Sequence, residues 1–191
     1  MASELESALA HYRLVAEEST FTVQAFAGGL FSAFGHDPVI SVRSFSGTAR
    51  FMPDTFEKAE LHLSIDASSL VVANEVKEKD RLEIENTMRR DVLDVQTYPE
   101  IKFDSSNVAL SRLGAGRYRA RLIGDLTIHG VTQRNVWITA EVTISPEMLR
   151  AKGEYQLRQT DFKIKPVSVA GGTLKIKNEL KCSFDVCGKA S

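Results

Sequence analysis

The sequence predicts an all-β protein, an eight-stranded antiparallel barrel with a helical lid segment around residues 74–95. Three observations carry this reading. Apolar and polar residues alternate with period two along nine stretches, turn formers punctuate those stretches, and a single region has helical character. No strand alternates with a helix of ten or more residues, as a parallel crossover requires, so antiparallel meander connections are favoured and closure removes the sheet edges.

Candidate strands lie near residues 12–16, 20–27, 39–52, 59–66, 100–110, 117–129, 133–145, 150–158 and 173–187. Between Val42 and Phe45 the apolar parity flips, which we read as a β-bulge within one strand rather than as two strands separated by a turn at Arg43-Ser44. The helical region runs from Asn74 to Val95. Val76, Leu82, Ile84, Met88 and Leu93 are set there among charged residues, with acids early and Arg89-Arg90 late, as the helix dipole favours. Such an excursion covers one mouth of the barrel, or else lies solvated on its surface. Residues 1–11 form an N-terminal arm and residues 12–188 the barrel domain.

Parity assigns the faces. Tyr118, Ala120, Leu122, Gly124, Leu126 and Ile128 share one face of their strand; Val136, Ile138, Ala140, Val142 and Ile144 share one face of the next. In the last strand Leu174, Ile176, Leu180, Cys182, Phe184 and Val186 oppose Lys175, Lys177, Glu179, Lys181 and Asp185. These are strands wet on one side only. The inner face mixes small residues (Gly47, Ala49, Ala120, Gly124, Ala140, Cys182), which leave volume, with Phe21, Phe51, Phe103, Tyr118 and Phe184, which clasp a chain. An eight-stranded barrel is either filled by side chains or just wide enough for one small ligand. The residue sizes predict a dry, elongated slot; a solid core with tapering walls is the competing reading.

Three blocks add a resemblance. Tyr98-Pro99-Glu100-Ile101-Lys102-Phe103-Asp104-Ser105-Ser106 is followed by Gly124-Asp125-Leu126-Thr127-Ile128-His129-Gly130-Val131-Thr132, and Arg158 with Asp161-Phe162-Lys163-Ile164 precedes the last strand. These resemble the YceI-like family, and the similarity runs from about Tyr12 to Val186. The resemblance implies a lipocalin-like barrel holding isoprenoid or other long-chain apolar molecules. In the lid the family's usual Arg-Asp and Phe-Phe-Asp elements are represented only by Lys79-Asp80-Arg81 and Asp91-Val92-Leu93-Asp94-Val95, a loss of two aromatics.

The expected function is that of a non-enzymatic carrier for an isoprenoid quinone, polyprenyl lipid or fatty-acid-like amphiphile, with no cofactor and no metal. The candidate ligand-binding residues are Phe21, Phe34, His36, Ala49, Phe51, Phe103, Tyr118, Ala120, Leu122, Gly124, Leu126, Ile138, Ala140, Ile176, Leu180, Cys182 and Phe184. Arg43 and Lys165 are candidates to meet a headgroup at the rim. The alternatives are a hydrolase acting on a lipid or acyl substrate through His36 and Asp37, or a ligand-free barrel serving as a dimerisation or scaffold module. His36 and Asp37 are adjacent on the chain and no nucleophile elbow accompanies them, which favours a loop or headgroup role. His129 precedes Gly130 in a turn and reads as structural. His11 and His62 are isolated on polar faces, and the four histidines lack H-x-H or H-E-x-x-H spacing.

Charges nearly cancel, 24 Lys and Arg against 25 Asp and Glu, so no global field gathers nucleic acid; the partner is chosen by apolar contact, and a homodimer is compatible with this. No run approaches the roughly 20 apolar residues of a membrane span. The acidic start, without basic or apolar leader regions, predicts a cytoplasmic protein, or a periplasmic one if a leader has been removed. Cys182 and Cys187 fall on opposite faces of one strand, about 16 Å apart at ~3.3 Å per residue, too far to bridge. Parity predicts Cys187 to be exposed and Cys182 to face inward.

Overall fold

The computed structural model describes residues 9–28, 37–169 and 174–191. Its strands are β1 (Ala10–Gly28), β2 (Val39–Val42), β3 (Phe45–Phe51), β4 (Glu60–Asp66), β5 (Leu70–Val72), β6 (Glu100–Gly114), β7 (Arg117–Ile128), β8 (Val131–Ile144), β9 (Met148–Arg158), β10 (Ser168–Val169) and β11 (Leu174–Ala190). Eight of them form the expected closed antiparallel barrel in the order β1-β3-β4-β6-β7-β8-β9-β11, with β11 returning to β1. The three short strands extend this wall: β2 pairs with the second half of β1 and with β5, and β10 pairs with β11.

Two boundaries differ from expectation. The stretches near 12–16 and 20–27 are one strand, β1, which bulges between Val15 and Thr20 and begins at Ala10, inside the expected arm. Ser19 holds the bulge: its hydroxyl donates to the Val15 carbonyl at 2.5 Å and accepts from the Cys187 amide at 2.9 Å. Conversely, the expected single strand 39–52 is two. Val42 pairs with Leu70 in β5 and Phe45 with Ile65 in β4, so the chain changes partner across Arg43-Ser44 instead of bulging.

The helix, α1 (Glu78–Thr87), is continued by a wider turn at Met88–Val92, closed by the Leu93 amide on the Met88 carbonyl at 2.9 Å. It starts later than Asn74 because the preceding residues continue the sheet edge: the Ala73 amide donates to the Val39 carbonyl at 2.7 Å, and the Asn74 side chain accepts from the Val39 amide at 2.8 Å. α1 guards the free edge of β5. Glu85 Oε1 accepts from the Val72 amide at 2.9 Å, and Arg89 donates to the Leu70 carbonyl at 3.3 Å. Edge groups that would otherwise invite another strand are thereby satisfied.

Aromatic rings close one end of the barrel. Tyr12 stacks on Phe51 (centroids 5.6 Å apart), Phe51 meets Phe56 (5.5 Å), and Phe56 meets Tyr118 edge-on (4.7 Å). The Tyr12 hydroxyl fixes this plug by donating to the Ser145 carbonyl at 2.7 Å. At the other end, His129 and Gly130 both take positive φ (51° and 69°), the backbone of a two-residue hairpin turn that matches strand twist. A Cβ on Gly130 would lie 2.4 Å from the Tyr98 ring, and Tyr98 also packs on His129 at 4.7 Å.

Candidate functional site

Above the aromatic plug the barrel encloses a cavity of about 810 Å³. At about 30 Å³ per unit, a water's share of liquid volume, this is room for roughly 27 water-sized groups. Strand parity makes it apolar, since alternate residues of each ring strand point inward. Phe21, Ala49, Phe51, Phe103, Ala120, Leu122, Leu126, Ile138, Ala140, Ile176, Leu180, Cys182 and Phe184 all line it. Ala120 and Ala140 are register partners on β7 and β8, and Phe21 meets Phe184 edge-on at 6.2 Å.

Tyr118 and Gly124 are not among the lining residues. Tyr118 belongs to the plug, against Phe56. Gly124 leaves no volume: a Cβ there would fall 2.4 Å from the Asp104 carbonyl oxygen and 2.7 Å from the Phe103 ring. Gly47 is likewise occupied, with the His62 carbonyl at 2.4 Å and Leu14 at 2.8 Å. The slot is therefore made by alanines and by the bore of the barrel, while these glycines are seats for neighbouring side chains and backbone. Phe34 and His36 lie outside the described residues. Asp37 is exposed, and its carboxylate accepts from the Ala27 amide at 2.7 Å, tying the start of β2 to the end of β1.

Some cavity residues escape the strand-by-strand reading. Ile84 and Met88 face the cavity from α1 and its continuing turn, while Lys77, Asp80 and Glu83 bring charge to the same side. Helical spacing of 80, 83, 84, 87 and 88 would have found this face. Tyr155 is another, inward by alternation with Leu149, Ala151 and Leu157 on β9. Arg50, Glu60 and Lys102 border the cavity, but their charges are paired on the outer surface, Arg50 with Glu60 and Lys102 with Glu100, each at 2.6 Å. Neither Arg43 nor Lys165 lines the cavity; Lys165 follows Ile164, which does.

His62 is not isolated. Its Nδ1 lies 2.7 Å from Asp104 and its Nε2 3.6 Å from Glu60, on the outer face where β4 pairs with β6. Sequence separation hid this pair.

Burial raises the pKa of two titratable groups on the upper wall. The Cys182 thiol is pushed up to about 12 by desolvation, and Tyr155 is raised by desolvation and then by Cys182 and Asp161. Both stay protonated at neutral pH. Cys187 departs from expectation: it is on the outer face yet only 2% exposed, because the β1 bulge lies over it, with Glu18 Oε2 3.8 Å from the sulfur. Desolvation and the Glu18 charge raise its pKa as well. Since the thiolate is the reactive form, both cysteines are expected to resist a water-soluble maleimide in the native protein and to label together on unfolding. Rapid native labelling of Cys187 would show that the bulge does not cover it.

These features define a class, a closed antiparallel barrel with an apolar internal cavity and one flanking helix. The chain belongs to the YceI-like domain family, whose pattern it matches over residues 12–187. It is 28% identical over 151 residues to UPF0312 proteins of Pseudomonas savastanoi and Pseudomonas syringae, spanning 75% of this chain and 70% of theirs. Its fold is similar to that of Burkholderia cenocepacia BcnA (TM-score 0.63, 18% identity, 91% of this chain and 98% of that one). It is also similar to a polyisoprenoid binding domain from Saccharophagus degradans implicated in plant cell wall breakdown (TM-score 0.65, 15% identity, 94% and 98%). The Campylobacter jejuni YceI protein shares the fold over 80% of this chain and 84% of its own (TM-score 0.57, 17% identity).

Proposed function

We propose that the protein is a non-enzymatic carrier that holds one long-chain apolar molecule, such as an isoprenoid quinone, a polyprenyl lipid or a fatty-acid-like amphiphile, inside the barrel. The observation that carries this is the cavity of about 810 Å³, lined chiefly by aliphatic and aromatic side chains. Pockets that bind small molecules fall in this size range and have this composition. Membership of a family with a polyisoprenoid binding neighbour supports the same reading. In it, the lining residues named above are the ligand contacts, and the headgroup sits toward the end opposite the aromatic plug. Burying about 400 Å² of apolar ligand surface at about 25 cal/mol per Å² gives ~10 kcal/mol gross. Ordering costs bring this to roughly micromolar to nanomolar affinity. No cofactor and no nucleic acid enter this function.

The test is direct. Protein purified without detergent is extracted into organic solvent and the extract analysed by mass spectrometry; a long-chain apolar species close to one per chain is expected. An empty extract, together with failure of the extracted and refolded protein to bind cis-parinaric acid, would reject the carrier reading.

A further inference from the structure

The cavity is not uniformly greasy. On β9 the inward residues run Leu149, Ala151, Gly153, Tyr155, Leu157, and the register sets Cys182 of β11 directly opposite Tyr155. Both line the cavity. The Tyr12 hydroxyl is spent on the Ser145 carbonyl, and the buried Gln159 amide donates to the Lys177 carbonyl at 2.9 Å. Among the described residues the Tyr155 hydroxyl has no hydrogen-bond partner. Tyr155 is half-buried and its hydroxyl opens on the bore, where it can donate to an oxygen of a bound molecule that displaces water.

We propose that Tyr155 is the specificity-determining donor of the cavity, and that it selects long-chain molecules carrying an oxygen acceptor, such as a carbonyl, over plain hydrocarbons of the same length. The inference rests on the carrier reading and adds the chemistry of the cargo. Its position on β9 gives the orientation. β9 begins at Met148, beside the Ser145 carbonyl that anchors the plug, and ends at Arg158, so Tyr155 lies in the half away from the plug. From Tyr155 to Leu149 is about 20 Å along the strand at ~3.3 Å per residue. The tail therefore fills the deep half toward Phe51 and Leu149, and the carbonyl oxygen stops at Tyr155. The thiol of Cys182, a weak donor, faces the same point from the neighbouring strand. A phenol is protonated across the neutral pH range and burial raises its pKa further, so Tyr155 remains a donor there.

The test uses delipidated protein and two probes of equal chain length, 2-heptadecanone and heptadecane, each competing with a fluorescent long-chain fatty acid. The parent protein is expected to prefer the ketone. A neutral hydrogen bond contributes about 0.5–1.5 kcal/mol net, so Tyr155→Phe should weaken the ketone by roughly 3- to 10-fold and leave the alkane unchanged. The variant keeps the ring and its packing, so the fold is retained. Equal binding of both probes by parent and variant would overturn the role of Tyr155 while leaving the carrier reading standing. Equal weakening of both probes would also overturn it, since packing and not the hydroxyl would then be responsible. Binding of neither probe by the parent protein would instead reject the carrier reading, and the inference with it.

Discussion

Ala120→Phe and Ala140→Phe are each expected to leave a folded barrel that has lost nearly all affinity for long-chain ligands. The two alanines are register partners on β7 and β8, one inward step from the plug residue Tyr118 and its partner Val142, each 4% exposed, and both line the cavity. Both side chains line the cavity, so a phenyl ring on either is directed into the bore, at an overpacking cost of about 1–3 kcal/mol that a chain of this size withstands. The ring takes the place of roughly three of the ~27 water-sized groups the cavity can hold. More important is where it stands. An eight-stranded barrel is barely wider than its own side chains, so a ring on either alanine takes the floor of the bore just above the plug, where the end of an apolar chain would lie. Each methylene excluded forfeits about 0.8 kcal/mol. Three of them amount to about 2.4 kcal/mol, or a loss in affinity of roughly 50-fold. Titration with a fluorescent fatty acid measures this loss, and far-ultraviolet circular dichroism reports the fold. Parental affinity in both folded variants would mean that the ligand does not lie in this bore.

How far the fold could be read from sequence depended on what alternation encodes. β7, β8 and β11 each carry long runs in which every second residue is apolar, and a strand wet on one side leaves that signature whatever its neighbours are. Interruptions were harder. A bulge and a change of partner each insert residues and flip parity, so the Val42–Phe45 irregularity was compatible with both; only the pairing of Val42 with β5 and Phe45 with β4 separates them. The polar run at Glu17-Glu18-Ser19 has the composition of a turn, yet Ser19 binds it back as a bulge. β5 and β10, of three and two residues, are too short for any period to register.

The site was legible wherever facing alone decides it, as for Ala120, Ala140, Leu122 and Phe184. It failed where a residue from another strand intervenes. Cys187 faces outward as parity requires, but Glu18 and Ser19, 168 or more positions away in sequence, cover it. Tyr118 faces inward and meets Phe56, which lies in the loop between β3 and β4 with φ of 56° and follows no strand period. Small residues were the most misleading class, because the absence of a side chain does not reveal whether a neighbour has taken its place.

Gly124 makes that last distinction measurable. By size and parity, Gly124→Leu should fill the slot and leave the fold intact, as is expected of Ala120→Phe. The geometry gives the opposite expectation. The first atom of any side chain at 124 would stand 2.4 Å from the Asp104 carbonyl oxygen, and that oxygen is backbone of the paired strand β6, so it cannot rotate away. The same atom would stand 2.7 and 2.9 Å from Cζ and Cε2 of Phe103, a ring only 3% exposed that lies over the glycine. The strands must part, or Phe103 must leave its rotamer and swing into the cavity. Overpacking a formed interior costs about 1–3 kcal/mol, and displacing a core aromatic adds to it, so about 3 kcal/mol or more is expected for leucine. For a chain of this size that corresponds to a fall in Tm of roughly 6–12 °C. Gly124→Ala, which adds only the offending Cβ, should already incur part of the cost. Shortening the ring should return some of it, so the double variant Gly124→Ala with Phe103→Leu should lose less than the two single losses added together, a coupling expected only for residues in contact. Thermal or urea denaturation of the four proteins reads the cycle. If Gly124→Leu melts with the parent and its only effect is to block ligand uptake, the space above Gly124 is open, and the seating of Phe103 on it is wrong.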